Sequence, residues 1–328
     1  MELSNSIFWM DGQLATDCVE ISRDPKSLDQ PGFWAVVQNF ESEFLAARFA
    51  SVTRASLPIA TWEKLDTNWS TSQSKNEYEV NVDRIKDLIA RGEVYQVNLC
   101  RVLSANSAQS LLGLANLILQ ENPSPYAAYL KLPGIEIASA SPELFLSREG
   151  ALIKSSPIKG TSETADFGEK DTAENIMIVD LMRNDFSQIS KAGSVDVPRI
   201  LATEKHPGLY HLVSDVVGEI GDDVKWPQIL NVLTPAGSIS GAPKSSALKT
   251  IQKLENDKRG PYCGVIGWSQ ENRANLSVGI RIFWSYEDGQ IHFGTGAGIT
   301  WQSQAAAEWE ETELKARRLI SIAGGNQR

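Results

Sequence analysis

Apolar residues along the chain fall into two kinds of run, short ones of strand length and longer ones with helical spacing. The runs at 33–38 and 44–50 read as strands. A helix is predicted over 80–91, closed by the Arg91-Gly92 break, and a strand over 94–103 follows it. From there strands dominate, punctuated by helical stretches near 170–191, 243–256 and 303–322. Two hairpins can be given a register. A two-residue turn at Glu149-Gly150 joins 143–148 to 151–156 and sets Glu143 opposite Ser156, with Lys159 just beyond that end. A turn at Asp288-Gly289 joins 276–286 to 291–298 and sets Arg281 opposite Gly296. Hairpins interleaved with helices predict an α+β fold rather than the βαβ alternation of a parallel sheet. No repeat, low-complexity tract or Pro/Ser-rich linker divides the chain. The organisation expected is a strand-rich part over 1–75 packed on a region, 76–328, that carries the chemistry.

Composition narrows the function classes. With 31 basic and 41 acidic residues in 328, the net charge is −10, the opposite of a nucleic-acid footprint. An anionic small molecule could still bind where Arg, Lys or a metal is concentrated. Three cysteines, Cys18, Cys100 and Cys263, form no CxxC pair, so neither a disulfide framework nor a zinc knuckle is expected, and a reducing cytoplasm fits. The first residues lack the basic start and apolar run of a signal peptide, and no stretch of about 18 apolar residues predicts a membrane span.

Several constellations could carry chemistry. Asp171 and Glu174 stand three apart on one predicted helix, and Glu308 and Glu311 repeat that spacing on another, with Lys315 one turn later. Each pair alone reads as a solvated face; facing one another, they make a hard-oxygen site suited to magnesium. Glu143 and Lys159 could be a general acid and a nucleophile at one hairpin end, or a surface salt bridge across a turn. Arg281, the run Gly294–Gly298 (GTGAG) and the run Ser238–Lys244 (SISGAPK), which includes Ser240 and Gly241, could bind carboxylates through a guanidinium and bare amides. The glycines also suit tight bends in strands. Pro243 before Lys244 excludes a Walker loop, and GTGAG lacks the third glycine of a dinucleotide fingerprint. His211 alternates with apolar residues, as a core histidine on a strand does; an acid–base role is the alternative.

In order, SPELFL (141–146), PIKGT (157–161), AENIMIVDLMRND (173–185), HLVSDVVGEI (211–220), GSISGAPK (237–244), GPYCGVIGW (260–268), VGIRIF (278–283), GTGAGI (294–299) and EWEETELKA (308–316) resemble the chorismate-utilising enzymes. The resemblance implies an anthranilate-synthase-like single α+β unit, two packed antiparallel β-sheets with helices outside, binding chorismate with Mg2+. It makes Glu174 and Glu311 magnesium ligands, supported by Asp171 and Glu308. It assigns the other substrate carboxylate to Arg281, Tyr262, Lys315, Ser240, Gly241 and the amides around Gly160, Thr161, Gly296, Ala297 and Gly298. Lys159, Glu143 and His211 become the catalytic candidates. Within the family, PIKGT is similar to the aminodeoxychorismate synthase component I branch, whereas anthranilate synthase members usually carry alanine where Lys159 stands. Hydrating members place a lysine where this chain has Gln96. The resemblance therefore implies amination of chorismate to 4-amino-4-deoxychorismate, toward para-aminobenzoate and folate. Ammonia would come from a glutamine amidotransferase subunit (component II), because the chain has no glutaminase signature. The alternatives are anthranilate synthase component I and a non-catalytic chorismate sensor or scaffold.

Overall fold

A computed structural model describes residues 3–162, 164–206 and 209–327. The chain opens with β1 (Ile7–Met10), β2 (Gln13–Ser22), β3 (Phe33–Gln38), β4 (Phe44–Arg54) and β5 (Leu65–Thr71), then α1 (Lys75–Ala90), β6 (Gln96–Asn106) and α2 (Leu111–Glu121). There follow β7 (Tyr126–Leu132), β8 (Ile135–Ser141), β9 (Leu144–Glu149), β10 (Leu152–Ser156), β11 (Ile158–Ser162), α3 (Glu169–Ser187), β12 (Asp196–His206) and β13 (Leu209–Glu219). The last part holds α4 (Trp226–Leu233), α5 (Gly237–Ser240), β14 (Gly241–Ala242), α6 (Lys244–Leu254), β15 (Val265–Gln270), β16 (Arg273–Val278), β17 (Ile282–Ser285), β18 (Gln290–Ile299), α7 (Ala305–Ala323) and β19 (Gly324–Gln327). The fold is mixed α+β and mostly sheet. No helix among the described residues is long and apolar enough to cross a membrane.

Antiparallel pairings run β13–β10–β9–β16–β15–β3–β4–β2 through one half of the strands and β1–β7–β8–β17–β18–β6 through the other, joined by the β1–β2 hairpin. The two halves pack face to face. Phe8 of β1 lies 5.9 Å from Phe33 of β3. One core cluster takes Trp34, Val36 and Ala46 from the first half and Leu130, Ile137 and Trp284 from the second. β3 is buried at every position, which is why it reads as an unbroken apolar run rather than an alternating one. A second cluster lies beneath α2 and α7, and a third joins α1, α6, β6 and β18.

Two of the predicted registers are overturned. β9 and β10 do form a hairpin, but the turn is Gly150-Ala151, with Gly150 at φ +64°, so Leu152 faces Glu149. A bulge then brings Ser156 opposite Leu144, not Glu143. The 276–286 strand is broken. Arg281 takes φ +55°, and the chain crosses there from β16 in one half to β17 in the other. Phe283 pairs with Phe293 across a four-residue connection, and Gly296 faces Cys100 rather than Arg281. The same seam is crossed at Pro142-Glu143, between β8 and β9. The predicted helix at 80–91 begins earlier, because Ser74 and Glu77 close a capping box at its N-terminus. The α2 and α4 helices carry no signal that the sequence reading used.

Candidate active site

Both chain crossings between the sheets supply site residues. Glu143 is fixed by its backbone: Val278 N–H donates to its carbonyl at 3.0 Å, and its own N–H donates to Ser141 Oγ at 3.3 Å. Its side chain is 4% exposed. Ser238 Oγ, on α5, donates to its Oε1 at 2.6 Å. Burial raises the Glu143 carboxyl from its ordinary value of 4.5 to about 7, although the Ser238 hydroxyl, the Lys159 charge and the Ile158 amide favour the anion. Arg281, on the other crossing, is close enough to be stabilised by the Glu143 charge, while burial lowers its guanidinium. The expected juxtaposition of Arg281 with Gly296 does not occur; Arg281 belongs to the Glu143 end.

Lys159 stands in a bulge of β11. Pairing with β13 is regular at Ile158 and again at Thr161 opposite His211, and shifts between them, with Gly160 at φ +83°. The Lys159 amine lies over β18, 3.7 Å from where a Cβ on Gly298 would stand. Burial lowers its pKa; Glu174, Glu143 and Glu311 oppose that, and Lys315 reinforces it. Gly160 packs on the first turn of α3, where an added Cβ would sit 3.1 Å from Asp171 Cβ. The Thr161 side chain lies outside the described residues.

The two acidic helices do face each other. Lys170 on α3 reaches Glu308 on α7 at 3.4 Å and Glu174 on its own helix at 3.9 Å. Lys315 binds Glu311 at 2.7 Å and donates to the Gly296 carbonyl at 3.0 Å, which ties α7 to β18. Burial raises Glu174 despite Lys159 and Lys170, and Glu311 and Asp171 add to the rise. Burial also pushes Glu311 up, but Lys315, Lys170 and Lys159 outweigh it and hold that carboxyl low. Glu308 is 3% exposed, and its Oε2 has no hydrogen-bond partner among the described residues. Hard carboxylate oxygens from two helices and one orphaned buried oxygen fit a divalent cation such as Mg2+. As the side chains stand, no three Asp, Glu, His or Cys among the described residues gather tightly enough to hold one.

β18 floors the site. Gly294, Gly296 and Gly298 share one face, where side chains would collide with the Tyr262 ring at 2.0 Å, Cys100 Sγ at 2.6 Å and Gln96 Nε2 at 2.3 Å. Thr295 and Ala297 point the other way; Thr295 Oγ1 donates to the Thr312 carbonyl, and Ala297 is buried against α1 and α6. Tyr262 is thus stacked at one end of the floor, with its hydroxyl 3.9 Å from Cys100 Sγ, and Lys159 is at the other. Ser240 turns its hydroxyl back to the Ala236 carbonyl. Gly241, at φ +135°, passes so close to the Gln96 carbonyl that a Cβ would meet it at 2.2 Å. His211 is buried on β13, in register with Thr161 and Glu204.

Three neighbours of these groups make contacts that sequence reasoning did not assign them. Ser238 lies two residues before Ser240 in the same GSISGAPK run, and only the α5 turn reveals that it reaches Glu143. Gln96 is more than a missing lysine: its amide donates to Glu174 Oε2 at 3.3 Å. Lys170 adjoins Asp171, but its contact with α7 depends on helix packing.

This constellation, on this sheet architecture, defines a class. The chain belongs to the chorismate binding enzyme family, whose model matches residues 37–321. Among curated proteins it is 36% identical over 267 residues to anthranilate synthase component 1 of Aquifex aeolicus, covering 77% of this chain and 54% of the relative. It is 32% identical over 309 residues to aminodeoxychorismate synthase component 1 of Salmonella typhimurium, covering 88% of this chain and 68% of that protein. It is 36% identical over 249 residues to the Bacillus subtilis protein of the same name, covering 72% and 53%. The chain therefore spans between about half and two thirds of the length of these relatives. The fold matches anthranilate synthase component I from Streptococcus pneumoniae with TM-score 0.84 at 22% identity, over 98% of this chain and 93% of that one.

Proposed function

We propose that the chain aminates chorismate at C4 to give 4-amino-4-deoxychorismate. The observation that carries this reading is the half-buried Lys159 amine, set over Gly298 and within the electrostatic reach of Glu143 and the carboxylates of α3 and α7. An amine whose pKa is lowered by burial has a larger neutral fraction available to act as a nucleophile.

In the proposed reaction the neutral Lys159 nitrogen forms a bond to C2 of chorismate, both ring double bonds shift (C1=C2 to C1=C6 and C5=C6 to C4=C5), and the C4–oxygen bond breaks. Protonated Glu143 donates to the departing hydroxyl, which leaves as water. The resulting Glu143 carboxylate accepts the excess proton from the alkylated nitrogen. Ammonia then bonds to C4, both double bonds shift back, and the C2–nitrogen bond breaks as Glu143 gives its proton to the departing Lys159 nitrogen; the Glu143 carboxylate then takes the excess proton from the new C4 ammonium, which restores both residues. Splitting one substitution into two is what covalent catalysis achieves. Glu174 and Glu311, with Asp171 and Glu308 beside them, would hold Mg2+, which when bound supplies positive charge for a substrate carboxylate. Arg281, Lys315 and backbone amides of β11 and β18 would orient the second carboxylate. Ammonia would be delivered by a glutamine amidotransferase partner, a reading supported by relatives that are called component 1.

The test is incubation of the protein with chorismate, MgCl2 and ammonium chloride, with the product identified by mass and by conversion with an added lyase. 4-Amino-4-deoxychorismate is expected. Accumulation of 2-aminobenzoate without a lyase would overturn the assignment in favour of anthranilate synthesis, the activity named in other relatives at 34–36% identity.

A further inference from the structure

Among the described residues, Lys170 is the lysine that forms ion pairs with both acidic helices from the solvent side of the cluster. Its amine stands 3.4 Å from Glu308 Oε1 and 3.9 Å from Glu174 Oε1. It therefore sits between two of the oxygens that the carboxylate reading assigns to a divalent ion. The other lysines of the cluster have fixed duties. Lys315 is held by Glu311 and by the Gly296 carbonyl, and Lys159 rests half-buried over Gly298. The Lys170 side chain is 39% exposed, so its ammonium can withdraw into water by rotating its own stem, with no change in the backbone. Without a cation at this position, Glu174 and Glu308, whose side chains are largely buried, would lose their shared counter-charge, and a buried unpaired carboxylate is costly.

We propose that Lys170 is a tethered counter-ion, which occupies the cation position in the metal-free protein and must leave it when a divalent cation enters. Metal affinity and the stability of the metal-free α3–α7 pair then trade off through one side chain, since whatever holds the free state must be displaced on binding. The inference rests on the assignment of these carboxylates to Mg2+ but not on the identity of the reaction product. Lys170 acts on the ion through Glu174 and Glu308 and is a positioning residue.

The test is isothermal titration of MgCl2 into the full chain, without chorismate and at fixed ionic strength, together with melting curves. Lys170→Met should bind Mg2+ about tenfold more tightly than the unaltered protein, a modest coupling for one displaced charge. It should melt at a lower temperature without metal and show a larger rise when Mg2+ is added. Lys170→Arg should keep the original affinity. So should Lys75→Met, which removes an exposed pair with Glu310 elsewhere on α7. Unchanged or weaker Mg2+ binding by Lys170→Met overturns the proposal, as does an equal gain in Lys75→Met. Lys170→Gln serves as a second neutral variant; failure of both to fold in saturating Mg2+ also overturns it, because the ion should replace the lost charge. Absence of Mg2+ binding in every protein removes the carboxylate assignment and this proposal together. The expected binding pattern, accompanied by a product other than 4-amino-4-deoxychorismate, supports the counter-ion while rejecting the reaction.

Discussion

Lys159 and Glu143 take their character from opposite consequences of the same burial. Desolvation disfavours whichever form is charged, so it lowers the amine and raises the carboxyl. Replacing Lys159 with Ala should reduce ammonia-dependent kcat/KM by a factor on the order of 1,000, measured with chorismate and ammonium, because the covalent route is lost. Glu143 must be protonated to act as an acid, so the rate should fall as pH rises through about 7. Glu143→Gln should lower kcat by on the order of 100-fold or more and abolish that limb of the pH profile. The same substitution should stabilise the fold at pH 8. The folded carboxyl holds its proton up to about 7 whereas the unfolded one releases it near 4.5, so this group costs stability as pH rises through that window. A glutamine escapes the loss, worth up to about 3 kcal/mol in chemical denaturation at pH 8 and close to nothing at pH 4.

Among the elements, β18 shows how a glycine pattern becomes a surface. Its alternate glycines leave a floor on one face, while Thr295 and Ala297 on the other face anchor α7 and the third core cluster. Gly298→Ala would place a methyl 2.3 Å from the Gln96 amide and 3.7 Å from the Lys159 amine. Expected is a soluble, folded protein that has lost at least about tenfold in kcat/KM, since the Gln96 amide must move away from the methyl and with it the Glu174 carboxylate that it holds, and small misplacements in a site are costly. Gly294→Ala, against the rigid Tyr262 ring at 2.0 Å, should instead register as lost stability of about 1–3 kcal/mol in a denaturant titration. These elements were also where the sequence was most legible. Strand β3 and the α3, α6 and α7 helices follow directly from their hydrophobic patterns, and the acidic pairs from their spacing of three. Hairpin registers were not legible. The first turn uses Gly150-Ala151 rather than Glu149-Gly150, a bulge in β10 takes one position back, and the second hairpin closes through a four-residue connection that moves its register by one; a glycine marks that a turn is near but not which position of the turn it fills.

At the scale of the whole molecule, the site exists because strands from two sheet halves and helices from distant parts of the chain converge. Arg259 is one of the pins. Fully buried, it binds Glu255 through two hydrogen bonds of 2.7 Å, donates to the Asn98 and Ile239 carbonyls, and lies over the Phe40 ring. Arg259→Ala should cost about 3–5 kcal/mol, read from the urea midpoint, because Glu255 would be left as an unpaired buried carboxylate behind β6. The sequence alone determined the class of architecture, the order of the motifs and the chemical types available, since period, spacing and residue identity are local properties. Tertiary structure alone decided that Glu143 meets Ser238 and Arg281 at the seam between the sheets, that Lys159 rests over Gly298, and that Lys170 bridges α3 and α7. Those pairings join residues far apart in the chain, and they are set by how packed faces exclude water, a quantity that no local pattern encodes.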